Sequence, residues 1–370
     1  MRCHVFTAGL RTRRSGRRST FAAQWICCFA ALSLLATSGC GYENRAGAAA
    51  GGAQNQPSAP QVAPVRLLNV SYDPTRELWA ALNSAFIPLY ERETGVPLAI
   101  SQSHAGSSNQ ARAIVEGLDA DVATLAMWRD IELIRQNGLV KDDWEERLPH
   151  HSLPYYSTIV FVVRKGNPKN VRDWPDLVRD GVEIITPNPR TGGNGKLSFL
   201  AAWGSVLVAG GSEADAQRFV TELFKHVPVL DAGARAATIT FARKQIGDVH
   251  LTWENEARLE VDEAAGELEI VYPKTSIRAE PPVVVVDANV DRKGTRAAAE
   301  AYLKFLYSDE AQEIIAKHYY RPIDAHTFER HADEFGNLEL FEITRIVPSW
   351  EAAHAKFFAE GGVFDSVFGR

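Results

Sequence analysis

Four short segments of small and polar residues could together bind an anion. They span residues 71–76, 103–110, 186–196 and 231–236. Each lies where a predicted strand gives way to a predicted helix. The first turn of a helix presents N–H groups that lack an intrahelical acceptor, and it carries a partial positive charge. A single turn of this kind is more often purely structural. Several that point to one place would form an oxyanion site from backbone donors.

Hydrophobic patterns predict the elements that position these turns. Residues 65–71 form the first predicted strand, and Asp73-Pro74 opens a helix, because Asp is a good N-cap and proline suits the first turn. Further strands are predicted at residues 97–101, 121–126, 156–164, 182–186, 227–230, 249–253 and 283–287. Further helices are predicted from residue 107 and at 195–209, 234–244, 295–306 and 309–318. This alternation indicates βα units and an α/β fold, which we infer to form two lobes with a ligand cleft between them.

Length and charge narrow the possible functions. The 370 residues suit two lobes of ordinary domain size. The formal net charge is −6, and it becomes −12 without the first 39 residues, which hold six arginines and no acidic residue. So acidic a chain is a poor candidate for binding nucleic acid. Overall charge cannot attract an anion either, so any anion site must be built locally.

The N-terminus is predicted to be a signal peptide of the lipoprotein type, residues 1–39. Basic residues up to Arg18 precede an apolar run at residues 21–36, which is short for a stable membrane span. Cys40 follows as the predicted lipidation site, although Thr37 stands where such signals usually carry an aliphatic residue. The alternative is ordinary cleavage without lipidation. All four cysteines lie at or before position 40, so a chain that starts there has neither an internal disulfide nor a thiolate metal site.

Residues 40–64 are predicted to be a flexible tether. Apart from a few residues they are Gly, Ala, Gln, Asn, Ser and Pro, which bury too little apolar surface to offset the entropy of ordering. The sequence therefore predicts an exported, periplasmic protein that is held at the membrane through a lipid on Cys40.

Many short motifs resemble those of the sulfate-binding subunits of bacterial ABC importers. They follow one another in order from Arg66 to the C-terminus. Among them are residues 71–78 (SYDPTREL), 164–169 (RKGNPK), 185–189 (ITPNP), 200–204 (LAAWG), 253–256 (WENE) and 319–322 (YYRP). The resemblance implies a type II periplasmic binding protein of two lobes, each a mostly parallel sheet flanked by helices. Such a protein closes on one dehydrated sulfate and delivers it to the transmembrane subunits of an ABC permease, without catalysis, cofactor or metal. We expect a monomer.

The resemblance also implies which groups hold the ligand, by hydrogen bonds alone. The expected ligand-binding residues are Asp73, Ser107, Gly192, Gly193, Asn194, Ala234 and Trp253, with Thr191 and Arg235 in support. Most would donate backbone N–H groups, Ser107 would add its hydroxyl, and Trp253 would donate its indole N–H. Without the resemblance, Trp253 would be interpreted as a core residue. Tryptophan can only donate, which suits an oxyanion without a proton.

Two of these segments depart from the family pattern. Gly192 stands where a ligand-binding serine is expected, so one hydroxyl donor is missing, and Thr191 or a water molecule could fill the gap. The second segment has Ala105, Ser108 and Asn109 where Gly, Gly and Lys are common. A hydrogen bond to a charged group contributes about 1.5–3 kcal/mol, so the loss at Gly192 could weaken binding about ten- to a hundredfold.

The predicted domain boundaries follow from these elements. Residues 65–153 are assigned to the first part of lobe 1 and residues 154–278 to lobe 2. Residues 279–370 are expected to return to lobe 1 and to end in C-terminal helices.

Other functions fit the residues less well. The run 192–197 lacks the frame of a phosphate-binding loop. Glu254 and Glu256 are more easily explained as structural residues paired with Arg235 or Arg258 than as a catalytic carboxylate pair. Thiosulfate remains an open alternative to sulfate, phosphate and molybdate are less favoured, and an anchored scaffold without ligand is the rival from another class.

Overall fold

The structure, a computed structural model, describes residues 63–368. The predicted signal peptide, Cys40 and the tether up to residue 62 lie outside these residues. Within residues 63–368, no helix is both long enough and apolar enough to cross a bilayer.

Short strands alternate with helices along the described chain. The strands are β1 (Val65–Tyr72), β2 (Leu98–Ala105), β3 (Val122–Thr124), β4 (Tyr155–Tyr156), β5 (Ile159–Arg164), β6 (Ile184–Pro187), β7 (Leu230–Asp231), β8 (Val249–Trp253), β9 (Leu268–Val271), β10 (Thr275–Ile277), β11 (Val283–Val285), β12 (Arg321–Pro322) and β13 (Glu339–Phe341). The helices are α1 (Arg76–Thr94), α2 (Ser107–Val115), α3 (Trp128–Gln136), the single turn α4 (Pro149–Ser152), α5 (Gly193–Val208), α6 (Glu213–Lys225), α7 (Ala234–Thr238), α8 (Glu254–Glu263), α9 (Asp287–Lys293), α10 (Arg296–Phe305), α11 (Asp309–Lys317), α12 (Ala325–Arg330), α13 (Trp350–Ala353) and α14 (Val363–Phe368).

The first sheet brings two of the predicted turns together. Its strand order is β11-β3-β1-β2, with β1 parallel to both neighbours and β11 antiparallel to β3. Tyr72 at the end of β1 is in register with Ala105 at the end of β2. Because both strands end at the same edge of the sheet, the turns that begin at Asp73 and Gly106 lie side by side.

The second sheet aligns the other two turns. Its strand order is β7-β6-β8-β5-β9. Pro187 at the end of β6 pairs in parallel with Asp231 of β7, which places the loops after them next to each other. β6 is also parallel to β8, whereas β5 is antiparallel to both β8 and β9. This sheet is therefore evenly mixed rather than mostly parallel, because β5 runs against β8.

Two chain segments pass side by side between the sheets. Ser157 and Ala279 form an antiparallel bridge in which each backbone N–H donates to the other residue's carbonyl at 2.9 Å. Just before this bridge, β4 pairs with β12, and Tyr155 packs in the core of the first sheet. The passage into the second lobe thus begins a few residues after the predicted boundary at residue 154.

The C-terminal segment packs with the second sheet and not with the first. β13 pairs with β10, and Phe357 and Phe364 share one core with Phe161 of β5 and Trp203 of α5. The prediction that residues 279–370 return to lobe 1 differs from this packing after about residue 339. The reason is the aromatic face of α5, which the C-terminal side chains cover.

The elements differ from their predictions in places where local patterns are weak. The strand predicted at residues 227–230 is reduced to Leu230–Asp231. The helix predicted at residues 234–244 consists of α7 followed by a π-helical turn, Ile239–Arg243.

The C-terminal contact yields a stability prediction. Phe357 is fully buried, and its ring centroid lies 5.0 Å from that of Trp203 and 5.8 Å from that of Phe199. Replacing Phe357 with Ala should lower the free energy of unfolding by about 3–5 kcal/mol, since it leaves a cavity in the core. Phe368→Ala is the control: its side chain is exposed, and the loss should stay below about 1 kcal/mol. Denaturant titration measures both, and equal losses would contradict the assigned packing.

Candidate anion-binding site

Contacts across the lobe interface bring all four predicted turns to one place. A Cβ atom at Gly106 would lie 2.7 Å from the carbonyl oxygen of Thr191, and one at Gly193 would lie 2.6 Å from the Cβ of Ala126. Any side chain at these two glycines would push the lobes apart, so the glycines permit the close approach.

Two further contacts connect the four turns, residues 71–76, 103–110, 186–196 and 231–236, into a ring. A Cβ at Gly233 would lie 3.2 Å from Oδ2 of Asp73, which joins the lobes on the other side. Within the second lobe, the hydroxyl of Thr191 donates to the carbonyl of Ala232 at 2.8 Å. Thr191 thus supports the site by tying two turns together. Its hydroxyl proton is used in that bond, so it does not replace the missing serine.

Helix starts supply most of the donors at this ring. Ser107, Gly193 and Ala234 are the first residues of α2, α5 and α7, and Asp73 is the first residue of a 3-10 turn. Asn194 follows in the first turn of α5. Within residues 63–368, the backbone N–H groups of these five residues have no acceptor. They are therefore free to bind an anion.

Gly192 differs from this pattern. Its N–H donates to the carbonyl of Asn188 at 3.2 Å, and the residue is the N-cap of α5. The expectation that Gly192 donates to the ligand is not matched by this geometry, because the tight turn after β6 uses that donor.

Trp253 is fully buried at the end of β8. Its indole Nε1 has no hydrogen-bond partner in the described part of the chain, and its ring centroid lies 5.4 Å from that of Tyr72. Trp79 and Trp203 also have unpartnered indole nitrogens, and Trp203 belongs to the same hydrophobic core as Trp253, so what distinguishes Trp253 is its position and not its burial. Because Tyr72 immediately precedes Asp73, the contact places Trp253 beside the ring of turns.

The hydroxyl of Ser107 is used inside the first lobe. It donates to Oδ2 of Asp130 at 2.5 Å and accepts the N–H of Ala126 at 2.9 Å. A hydroxyl has one proton, so in this arrangement the backbone N–H of Ser107 is free and its hydroxyl proton is not. This geometry differs from the sequence-based expectation, which could not include the tertiary contact with Asp130.

Comparisons with known proteins agree with this architecture. A model of the family described as bacterial extracellular solute-binding protein matches residues 77–321. The chain belongs to this family. The sulfate-binding protein of Salmonella typhimurium is 50% identical over 308 residues, which cover 83% of this chain and 94% of that protein. The thiosulfate-binding protein of Pseudomonas aeruginosa is 49% identical over 304 residues, which cover 82% and 92%. Among solved structures, the sulfate-binding protein SubI from Mycobacterium tuberculosis is 31% identical with a TM-score of 0.72, covering 79% of this chain and 99% of that one.

These similarities confirm the family resemblance and the two-lobed type II fold. The family relationship does not assign ligand-binding roles to individual residues of this solute-binding protein. The interlobe contacts, unpartnered N–H groups and charged pairs support those roles.

Charged side chains near the site already have charged or polar partners. The carboxylate of Asp73 pairs with Arg76 at 2.7 Å. Arg235, predicted in support, pairs with Glu77 of the other lobe at 2.7 Å and lies 3.1 Å from Oε2 of Glu256. Arg235 thus joins the lobes through Glu77. Oriented N–H groups are left as the donors for an anion.

Glu254 and Glu256 lie in the first turn of α8. Glu254 forms a bidentate pair with Arg321, at 2.7 and 2.9 Å, and Glu256 pairs with Arg235 as predicted. Both carboxyl groups thus pair with arginines, although Oε1 of Glu256 has no partner among the described residues. Within residues 63–368, no group of three or more His, Cys, Asp or Glu residues is arranged to hold a metal ion.

The sequence reasoning missed Asp130, Ser108 and Lys196. The hydroxyl of Ser108 donates to Oδ1 of Asp130 at 2.9 Å, and Nζ of Lys196 donates to that hydroxyl at 2.8 Å. Ser108 and Lys196 lie in two of the four segments that were predicted to form the anion site, at residues 103–110 and 186–196, so both could have been identified from the sequence. Asp130 stands in the first turn of α3 without a recognisable motif.

Glu256 generates a prediction about pH. Burial raises its pKa to about 8, against the opposing effect of Arg235. Since this pKa exceeds that of the unfolded chain, the folded state binds more protons between the two values, and stability falls as pH rises through about 8. Between about pH 6 and 8, wild-type stability should fall more steeply than that of Glu256→Gln, by up to about 1.4 kcal/mol per pH unit. Urea titrations at several pH values measure this, and equal slopes would contradict it.

Proposed function

We propose that this protein binds sulfate or thiosulfate between its lobes and delivers it to an ABC importer. The observation that carries the proposal is the buried indole N–H of Trp253, unpartnered among the described residues and placed beside converging helix starts. A buried donor without an acceptor is costly, and this one lies next to the unpartnered N–H groups of the helix starts, which supports a ligand that accepts from all of them. The named relatives support the same cargo.

The site favours an anion without a proton. Hydrogen phosphate would need an acceptor, and the two carboxylates beside the site are Asp73 and Asp130. Arg76 pairs with Asp73, and two serine hydroxyls donate to Asp130. Because the groups brought together at the site are donors and both carboxylates are held by first-lobe partners, we favour sulfate over phosphate.

Thiosulfate is the second candidate, and Gly192 favours it. The terminal sulfur of thiosulfate is larger than oxygen and a weaker acceptor. Gly192 places neither a side chain nor a hydroxyl donor at its corner of the site, and its N–H is used by Asn188. That corner would suit a sulfur atom better than a fourth oxygen.

The remaining features are part of the same proposal. We infer that the protein is not an enzyme, since the converging groups are donors without a nucleophile or base among them. A lipid on Cys40 would hold it at the outer face of the membrane, with the rest of the chain in the periplasm. Partners would be the anion and the transmembrane subunits of a permease, and the protein would act as a monomer.

Calorimetry of the mature chain against sulfate, thiosulfate, phosphate and molybdate tests the function. We expect one-to-one binding of sulfate or thiosulfate, with a rise in melting temperature at saturating ligand. A lack of response to both anions would overturn the proposal. Tight binding of phosphate would overturn the argument from occupied carboxylates.

Trp253→Phe tests the donor that carries the proposal. Phenylalanine keeps the packing against Tyr72 but removes the N–H. The affinity for the bound anion should fall about ten- to a hundredfold, the effect of one hydrogen bond to a charged group. Trp203→Phe is the matched control, because Trp203 is also buried, in the second lobe, with an unpartnered indole nitrogen. If the two variants bind the anion equally well, Trp253 does not contact it.

Gly192→Ser tests the choice between the two anions. A Cβ atom there would lie 3.8 Å from the Ala232 carbonyl oxygen, and φ of −139° is open to any residue. The added hydroxyl should strengthen sulfate binding about tenfold and change thiosulfate binding less. Gly192→Ala, which adds the carbon without the donor, should leave both affinities near the wild-type values. An unchanged ratio of the two affinities in the serine variant would argue against this role.

A further inference from the structure

A buried chain of uncharged groups joins the second lobe to the turn that presents Asp73. Nδ2 of Asn255 donates to the hydroxyl of Tyr320 at 2.9 Å, and that hydroxyl donates to the carbonyl of Pro74 at 2.9 Å. Asn255 and Tyr320 are each 1% exposed, and Pro74 is buried. We call this chain, Asn255 to Tyr320 to Pro74, the Tyr320 bridge.

The direction of each hydrogen bond in the bridge follows from the donors available. A phenol has one proton and a carbonyl oxygen only accepts, so Tyr320 donates to Pro74 and must accept from Asn255. Burial, followed by the proximity of Tyr155 and Glu256, raises the pKa of Tyr320 well above its ordinary value. The hydroxyl therefore keeps its proton, and the bridge carries no charge.

Each end of the bridge adjoins one of the proposed donors. Pro74 immediately follows Asp73 in the 3-10 turn, and the N–H of Asp73 has no acceptor among the described residues. Asn255 is the second residue of α8, which begins directly after Trp253. These two donors belong to different lobes. The bridge therefore constrains the position of one donor relative to the other.

Tyr320 is held beside the segments through which the chain passes between the lobes. It immediately precedes β12, which pairs with β4, and its ring centroid lies 4.8 Å from that of Tyr155. Tyr319 before it has a φ of 61°, a left-handed conformation that is unfavourable for a large side chain. The fold thus contains local strain at the point where the chain turns Tyr320 into the core.

The other side-chain bonds that hold this turn stay within the first lobe. The hydroxyl of Thr75 donates to the carbonyl of Tyr72 at 2.7 Å, and the hydroxyl of Ser71 donates to the carbonyl of Thr124 at 2.8 Å. These contacts fix the shape of the turn but do not extend to α8. Among the described residues, the hydrogen-bonded connection from the turn to α8 is the Tyr320 bridge.

We propose that Tyr320 is a positioning residue that holds the backbone N–H of Asp73 and the indole N–H of Trp253 at the spacing that one anion needs. Its hydroxyl does not contact the anion and acts through Pro74 and Asn255. The effect on affinity rests on the proposed function. The effect on the position of Trp253 does not, because the bridge consists of protein groups alone.

Four variants of the mature chain test the proposal. Tyr320→Phe removes the hydroxyl and keeps the ring, and Asn255→Ala removes the donor from the second lobe. Tyr302→Phe is the matched control, because Tyr302 is also fully buried and its hydroxyl donates to Oδ1 of Asn83 within the first lobe. Tyr320→Phe combined with Trp253→Phe shows whether the two residues act on the same contact.

Calorimetry with sulfate and thiosulfate gives the first measurement. Tyr320→Phe should bind the preferred anion about tenfold more weakly than wild type. Tyr302→Phe should bind it as wild type does, although it loses a comparable buried hydrogen bond and a similar part of its thermal stability. In the Trp253→Phe background, Tyr320→Phe should weaken binding by about threefold or less, since one of the donors that it positions is already absent.

The indole proton resonance of Trp253 gives the second measurement, which needs no ligand. The signal is assigned as the indole resonance that is missing from the spectrum of Trp253→Phe. In Tyr320→Phe this resonance should shift or broaden relative to wild type. In Tyr302→Phe it should stay in place.

Two results would each overturn the proposal: binding by Tyr320→Phe within about twofold of wild type, or an unmoved Trp253 resonance in that variant. A full tenfold loss that persists in the Trp253→Phe background would also overturn it, since Tyr320 would then act independently of Trp253. If wild type binds neither anion, the proposed function fails and the resonance alone decides. If Tyr320→Phe does not fold, Asn255→Ala breaks the same bridge and is judged by the same measurements.

Discussion

Unpartnered N–H groups at helix starts place the strongest constraint on this fold. Each needs an acceptor, and the first turn of its own helix cannot provide one. Five of them, from both lobes, lie in the turns beside the indole of Trp253. One bound oxyanion would satisfy these donors together. In the proposed site, a chain with a formal charge of −6 would thus bind an anion without a cationic side chain in direct contact.

Close approach of the lobes makes that arrangement possible. Gly106 and Gly193 lie where any Cβ atom would collide with the opposite lobe. Charged side chains around them are paired, as with Asp73 and Arg76 or Arg235 and Glu77. Because these charges are paired, the oriented backbone dipoles are left as the groups that could select an anion.

Local patterns in the sequence predicted the frame of the site, and tertiary contacts determined its details. Helix starts at Ser107 and Ala234 were predictable because strand ends, glycines and apolar spacing are encoded nearby. The use of the Ser107 hydroxyl by Asp130 was not, because those residues come from different helices. The same reason explains the C-terminal segment, where the aromatic side chain of Phe357 covers a helix more than a hundred residues earlier. The site roles themselves stay predictions until binding is measured.

Buried charge also limits how the two lobes can meet. The second lobe contributes Lys196, and the first lobe contributes Asp130, whose carboxylate accepts the hydroxyl proton of Ser107. An uncompensated buried charge is strongly unfavourable, and the hydroxyl of Ser108 connects these two charged groups. Contacts between side chains that donate nothing to an anion therefore contribute to the close approach of the lobes around the proposed site.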